Sequence, residues 1–296
     1  MSGKVAYTKR SVTSKDGTTI GFRQLGQGPA IVILHGGALA SQHYMKLGAA
    51  LADEFTVCIP DRRGRGMSGP YGPNYSIASE DEDLAAVVAE TGAQCVFGTA
   101  DGGLFALHGS ASIPAIHKVA VYEPVIFVGQ PDLPAFKATI DRGEALIAKG
   151  DIAGAMSSLA VDSASDPRMQ AVSAPYRLMG RVLAAPVVCR LFLSLDALAA
   201  RGDTVALRDL VPALIPELRQ VQATDGTIDF YRTVTAECLL MCGSNAPTLF
   251  TGTLDALEGV LPNARRVELA GLHHGAAQDQ GGNPRVLADQ LRQFFS

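Results

Sequence analysis

The stretch CVFGTADGGLFALHG, Cys95–Gly109, decides the fold class of this chain. Its first residues form a short apolar run, which predicts a buried strand, and a glycine-rich turn separates that run from an apolar helical pattern. The same order of strand and glycine-rich turn occurs in AIVILHGG (30–37) and FTVCIPDRRGRG (55–66). Apolar strands that alternate with helices indicate a parallel sheet covered on both faces, so we expect an α/β fold.

Outward from this stretch, strands and helices alternate through about residue 125, and strand patterns return in ECLLMCGSNAP (237–247) and ARRVELAGLHHG (264–275). Residues 130–235 show helical patterns only. An N-terminal antiparallel hairpin is expected around the Asp16–Gly17 turn. We therefore predict a core formed by residues 1–129 and 236–296, with residues 130–235 inserted as a helical cap.

Composition narrows the function classes. The 296 residues are 47% hydrophobic and 18% charged, which predicts a globular chain rather than a disordered one. The net charge is −4 without a basic block, so neither nucleic acid nor an anionic membrane is an expected partner. No apolar run reaches the ~20 residues of a membrane span. Five cysteines at unrelated spacings indicate reduced thiols rather than a disulfide framework or a metal site, and so a cytoplasmic protein. No cofactor is expected.

The turn GTADGG (98–103) has the spacing of a nucleophile elbow, G-x-S-x-G, with Ala100 at the central position. A central residue in a strained backbone conformation needs small neighbours, and Gly98 and Gly102 supply them. The backbone N–H groups of Asp101 and Gly37 are then candidate donors to an oxyanion.

A second register places Asp101 at the centre as a carboxylate nucleophile, flanked by Thr99 and Gly103. It puts threonine where glycine is preferred and leaves Gly98 unexplained, so we favour the first register.

Two further loops at strand ends contain residues that could serve catalysis or binding. GLHHGA (271–276) places His273 and His274 just after the last strand, where a general base could reach the elbow. DRRGRGMSG (61–69) is interpreted as a structural turn held by Asp61, although its arginines could also bind an anion.

Taken together, these motifs resemble the α/β-hydrolase family, in which nucleophile, acid and histidine follow one another along the chain. The resemblance covers about two-thirds of the chain and rests on four segments: HGG (35–37), DRRGRGMSG (61–69), GTADGG (98–103) and GLHHG (271–275). It implies a mostly parallel central sheet with flanking helices and an inserted cap. The family pattern implies His274 as the base and puts His273 in the variable position.

The position of the acidic residue that would orient the histidine departs from the commonest family pattern. The loop after the penultimate strand, CGSNAP (242–247), offers Asn245 rather than an acid, and the next carboxylate is Asp255. One strand earlier, VYEP places Glu123 at a strand end. One subgroup of haloalkane dehalogenases and the fungal zearalenone lactonases are similar in placing their acid there. The resemblance therefore implies Glu123 as the acid.

Ala100 has no oxygen for attack, which leaves two interpretations. In the first, alanine replaces a serine so that a Ser-His-Glu triad is disarmed. In the second, the protein is naturally non-nucleophilic and binds a ligand on this fold. We favour the first, because an idle site has no reason to retain Glu123 and His274. A C–C bond hydrolase with the same triad stays open.

The substrate is expected to be a small, apolar ester or lactone, since residues 130–235 contain no cluster of basic side chains. Candidate substrate contacts are Gly36, His273, Tyr176, Phe192 and Tyr231. The oligomeric state is left open, a homodimer being one option.

Overall fold

The computed structural model describes residues 6–127, 133–165, 182 and 185–296. Eight strands form one sheet: β1 (Thr8–Thr13), β2 (Thr19–Leu25), β3 (Ala30–Leu34), β4 (Thr56–Pro60), β5 (Cys95–Thr99), β6 (Lys118–Tyr122), β7 (Glu237–Gly243) and β8 (Ala264–Leu269). Their order across the sheet is β1-β2-β4-β3-β5-β6-β7-β8. β1 and β2 form the predicted antiparallel hairpin, and β2 also pairs antiparallel with β4. All other pairs are parallel, which confirms the α/β-hydrolase fold class.

Nine helices are described: α1 (Met45–Leu51), α2 (Ile77–Thr91), α3 (Ala100–Ser110), α4 (Leu133–Ala148), α5 (Ile152–Ser165), α6 (Pro186–Ala199), α7 (Leu207–Ala223), α8 (Thr248–Glu258) and α9 (Pro284–Phe295). Short 3-10 helices occupy Ser41–Tyr44 and Ile228–Thr233. α2 ends where Gly92 adopts a left-handed φ of 68° and donates its N–H to Val88 O.

The sheet is covered on both faces, as its continuous apolar strands require. In β3, Ile31 and Ile33 face the side covered by α1 and α9, and Val32 and Leu34 face the side covered by α2, α3 and α8. All four side chains are buried. This alternation follows from the two-residue period of a strand, and burial on both faces removes the polar positions that a one-sided sheet would show.

The helices α4–α7 lie between β6 and β7 in the chain and pack on one another. Arg219 on α7 forms ion pairs with Asp141 at 2.7 Å and Glu144 at 2.6 Å on α4. The segment between α6 and α7 is hydrogen-bonded to the 3-10 helix that follows β3. The Gln42 side chain donates to Val205 O at 3.0 Å and accepts from Val205 N at 2.6 Å. The start of α7 is thereby fixed relative to the segment that follows β3.

Candidate active site

The carboxyl ends of β5, β6, β7 and β8 bring three sequence-predicted loops to one edge of the sheet. Thr99 pairs with Tyr122, Tyr122 pairs with Met241, and Gly243 pairs with Leu269. The residues that follow these strand ends therefore meet above neighbouring strands, where ligands of parallel sheets bind.

Ala100 is the first residue of α3, directly after the last residue of β5. Its φ is +50°, a conformation that non-glycine residues rarely adopt. The turn is tight: a Cβ on Gly98 would lie 2.3 Å from Gly102 O, and a Cβ on Gly102 would lie 2.4 Å from His35 O. Both glycines are thus needed for the close approach of α3 to the strands. Asp101, by contrast, is not among the described residues with positive φ.

Positive φ values at non-glycine residues are confined, within the described ranges, to three positions: Ala38 at 53°, Ala100 at 50° and Glu123 at 47°. All three follow the carboxyl ends of parallel strands: Ala38 follows β3, Ala100 follows β5 and Glu123 follows β6. Such conformations cost about 1–3 kcal/mol each and persist where the surrounding structure holds them, commonly at functional sites.

Glu123 and His274 form a hydrogen-bonded pair. His274 Nδ1 lies 2.8 Å from Glu123 Oε2, and the other carboxylate oxygen accepts a hydrogen bond from Gly243 N at 3.0 Å. Glu123 is completely buried, whereas the His274 side chain is 35% exposed. The Phe250 ring stacks on the imidazole, with centroids 4.2 Å apart and planes 3° from parallel. The carboxylate and the phenyl ring together fix the orientation of the imidazole.

The loop of Glu123 is also joined to the elbow. Val125 N donates to Ala100 O at 3.1 Å, and Pro124 lies close to Gly103. Ala100 and the Glu123–His274 pair are thus held in one unit by backbone contacts.

The other acid positions lie elsewhere. Asn245 Nδ2 donates to Gly271 O at 3.1 Å, and Asp255 forms an ion pair with Arg266. Neither side chain is bonded to His274, so Glu123 is the acid group that the structure brings to the imidazole.

His273 turns away from this pair. Its Nε2 lies 3.0 Å from Gly281 O, and its Nδ1 accepts from Gly275 N at 3.1 Å. Its carbonyl accepts a hydrogen bond from the Tyr122 hydroxyl at 2.9 Å. Burial raises the pKa of Tyr122 well above its usual range, and the Glu123 carboxylate raises it further, so the phenol remains a donor. This bond anchors the loop that carries His274.

The glycine loop after β3 lies against the elbow. A Cβ on Gly36 would lie 3.2 Å from the Cβ of Ala100, so Gly36 lies next to the elbow. The N–H of Gly37, however, donates to Asp101 Oδ1. The structure therefore brings Gly37 and Asp101 together, but through the Asp101 side chain, a contact that the sequence does not predict.

A buried charge cluster stands behind this contact. Arg62 Nη1 donates to Asp101 Oδ2 at 2.9 Å, Nε donates to Glu80 Oε2 at 3.1 Å, and Nη2 lies 2.7 Å from Glu217 Oε1 on α7. Burial alone would lower the pKa of Arg62, but Glu80 and Asp101 outweigh burial and raise it well above its usual range. Burial, assisted by Arg65 and Arg62, lowers the pKa of His35 well below its usual range.

His35 is accordingly a neutral support of the glycine loop. Its Nε2 accepts from Arg62 N at 3.1 Å, which leaves Nδ1 to donate to Gly36 O at 2.9 Å. The segment 61–69 is a turn held by Asp61, as predicted: its carboxylate accepts from Ser41 N at 2.8 Å and from Met67 N at 3.0 Å. The partners of the arginines in the same segment come from distant parts of the chain, so the local sequence does not indicate them.

The predicted contacts from residues 130–235 are not supported at this site. Tyr231 is completely buried and packs beside Phe230, which stacks on His108. His108 lies eight residues beyond Ala100 in α3, or about 12 Å along the helix axis. Tyr231 therefore occupies a core position, and its contact with a substrate stays a prediction. Phe192 is 43% exposed on α6, and Tyr176 lies outside the described residues.

Within the described ranges, no group of three or more histidine, cysteine, aspartate or glutamate side chains could hold a metal ion. The five cysteines are free thiols, four of them buried and Cys95 half-buried. None of the described helices combines the length and the apolar character needed to cross a bilayer.

A family model described as the alpha/beta hydrolase family matches residues 31–290. The chain belongs to that family. The match includes the glycine loop, the elbow, Glu123 and His274 of this α/β hydrolase. The family assignment agrees with the eight-stranded, mostly parallel sheet.

Several individual proteins are similar to this α/β hydrolase. A pimeloyl-[acyl-carrier protein] methyl ester esterase from Xanthomonas campestris is 34% identical over 97 residues, and the match covers 33% of this chain and 37% of that esterase. An alpha/beta hydrolase from Sphaerobacter thermophilus is 27% identical with a TM-score of 0.70, over 97% of this chain and 100% of that one. An enol-lactonase from Burkholderia xenovorans shares the fold, with a TM-score of 0.68 at 19% identity over 97% and 99% of the chains.

Proposed function

We propose that this α/β hydrolase is built to hydrolyse a small, apolar carboxylic ester or lactone, and that Ala100 leaves it without its nucleophile. The observation that carries the proposal is the 2.8 Å contact of His274 with the buried Glu123 carboxylate, in a loop that is hydrogen-bonded to an elbow residue with a φ of +50°. A positive φ at the centre of a strand-to-helix turn directs the side chain toward the site. An alanine gains nothing from this strained conformation, because it carries no reactive atom.

With a serine at position 100, the reaction follows from these positions. His274 takes the hydroxyl proton while the oxygen attacks the carbonyl carbon, and Glu123 stabilises the imidazolium that forms. The C–O bond of the ester or lactone then breaks as His274 returns the proton to the leaving oxygen. Water, deprotonated by His274, attacks the acyl group and releases the acid.

The chemistry of the surroundings favours a neutral acyl group. Near Gly37, the Arg62 guanidinium is surrounded by the carboxylates of Asp101, Glu80 and Glu217, so no free positive charge remains there to bind an anionic substrate. Leu214 of α7 lies over the glycine loop, since a Cβ on Gly37 would lie 2.5 Å from Leu214 Cδ1. We infer that residues 130–235 act as a cap and that α7 supplies its apolar cover.

The relatives support an ester substrate, since the esterase from Xanthomonas campestris acts on a methyl ester by its name. We also propose a cytoplasmic location, supported by the five free thiols.

The experiment is the variant Ala100→Ser, assayed with p-nitrophenyl esters of short acyl chains and with aromatic lactones. We expect hydrolysis that the Ala100 protein does not show. Matched controls are Ala100→Ser combined with Glu123→Ala or with His274→Ala, which should lose about 10⁴-fold or more in kcat. A serine variant that is folded but inactive on every ester and lactone would overturn the proposal.

A second candidate is a non-catalytic ligand-binding protein on the same fold. The observation that favours it is the hydrogen bond from Gly37 N–H to the Asp101 carboxylate, which occupies an expected oxyanion donor. An inactive serine variant that binds an ester or lactone as tightly as the Ala100 protein, by calorimetry, would support this candidate.

A further inference from the structure

We propose that Asp101 is a positioning residue that closes the Gly37 oxyanion donor in the resting site and must be displaced by the oxyanion that develops on the substrate. The proposal rests on the ester or lactone hydrolysis proposed above and assigns a regulatory role to a side chain of that same site.

The Gly37 N–H is already engaged in a hydrogen bond in the resting site. Gly37 has one backbone N–H, and this N–H donates to Asp101 Oδ1. Asp101 is 4% exposed, so the carboxylate holds this bond away from solvent. Hydrogen bonds to an ionised acceptor are shorter and stronger than those to a neutral one. A neutral carbonyl oxygen therefore competes poorly for Gly37, whereas a developing oxyanion competes on more equal terms.

This contact is not an ordinary helix cap. Asp101 is the second residue of α3 and does not occupy the N-cap position, Thr99, from which side chains usually accept hydrogen bonds of the first turn. Its two oxygens instead bond to Gly37 of the glycine loop and to Arg62 of the loop after β4. The side chain thus connects two loops of the site and leaves the start of α3 uncapped by this residue.

Moving Asp101 away from Gly37 does not leave the Arg62 guanidinium unpaired. Arg62 keeps two other buried partners when Asp101 moves, because Glu80 and Glu217 both remain within 3.1 Å of its nitrogens. Removing one of several partners from a buried charge is far less costly than leaving the charge unpaired. Asp101 can therefore leave Gly37 without exposing an uncompensated guanidinium.

The consequence is measurable in the serine form. While Asp101 occupies Gly37, only the backbone N–H of Asp101 is available to an oxyanion, and one donor is worth about 10²–10³-fold in kcat. Opening the donor permanently should recover part of that factor.

The test compares Ala100→Ser with Ala100→Ser/Asp101→Ala on a p-nitrophenyl ester. We expect kcat to rise by about tenfold or more, within the ceiling set by one oxyanion donor, with KM changed by less than about threefold. The matched control is Ala100→Ser/Glu80→Gln. It also removes one carboxylate partner of Arg62 but leaves Gly37 bonded to Asp101, so kcat should not rise. An unchanged or lower kcat in the Asp101→Ala pair, or an equal rise in the Glu80→Gln control, would overturn the proposal.

A second measurement does not depend on activity. In the Ala100 protein, the amide proton of Gly37 should resonate downfield in NMR spectra, and Asp101→Ala should move it upfield and speed its exchange with solvent. No change in shift or exchange would refute the closed donor even if the serine form hydrolyses esters. The upfield shift combined with an inactive serine form would support the closed donor and reject the proposed hydrolysis.

Discussion

Two helical glycines provide a sharp test of how tightly the elbow is packed. Gly102 lies in α3 and Gly252 lies in α8. A Cβ on Gly102 would lie 2.4 Å from His35 O and 2.6 Å from Leu34 O, whereas a Cβ on Gly252 would meet no atom within 4 Å. We therefore expect Gly102→Ala to be less stable than Gly252→Ala.

The magnitudes follow from two contributions. Alanine is favoured over glycine inside a helix by about 1 kcal/mol, and this gain applies to both variants. Overpacking costs about 1–3 kcal/mol, and it applies only at Gly102, where backbone oxygens of β3 and the following residue cannot rotate away. The helix contribution cancels between the two variants, so Gly102→Ala should be less stable than Gly252→Ala by about 1–3 kcal/mol.

The assay is urea unfolding of both variants and the parent, followed by far-UV circular dichroism at equal protein concentration. Gly252→Ala should unfold at a higher urea concentration than the parent, and Gly102→Ala should unfold at a lower one than Gly252→Ala, with equal slopes. Equal midpoints for the two variants would refute the reasoning, since they would show that α3 does not press against the end of β3.

Three further outcomes are expected. Phe250→Leu in the serine form should lower kcat several-fold with little change in KM, because the His274 ring loses the flat surface that orients it; an unchanged kcat would contradict this. Burial alone would raise the pKa of Glu80, but its arginine partner lowers it from 4.5, so its stabilising contribution is present above that pH and is lost as the pH falls through the lowered value. Glu80→Gln should therefore flatten the loss of stability in acid unfolding curves, and an equally steep loss would disprove the assignment. Ala100→Gly should change the free energy of unfolding by less than about 0.5 kcal/mol, because relief of the left-handed strain offsets the chain entropy of glycine, whereas Ala106→Gly should cost about 1 kcal/mol or more in thermal or urea unfolding.

Much of the fold could be predicted because its signals are local. Apolar strands with glycine-rich ends, the Asp16–Gly17 turn and the elbow spacing all lie within short windows of sequence. Periodicity and turn chemistry act over a few residues, so they survive without tertiary information. The positions of Ala100, Glu123 and His274 at strand ends were predictable for the same reason.

The contacts of these residues were less predictable. Phe250 stacks on His274 from a helix whose sequence, TLFTGTLDALE, shows no feature beyond ordinary amphipathicity. The complete burial of Tyr231 is not predictable from the sequence, because aromatic residues occur both in pockets and in cores.

The sequence by itself determined the order of strands and helices, the family, and the loops that carry the candidate chemistry, because each depends on residues close together in the chain. The resemblance implied Glu123 as the acid, but only the tertiary structure shows its contact with His274, and only the tertiary structure decided that the Asp101 carboxylate occupies the Gly37 N–H. Those choices depend on which strands become neighbours and on how a buried arginine shares its charge among carboxylates from α2, α3 and α7. Such long-range distances set electrostatic and hydrogen-bond energies, and the linear sequence does not contain them.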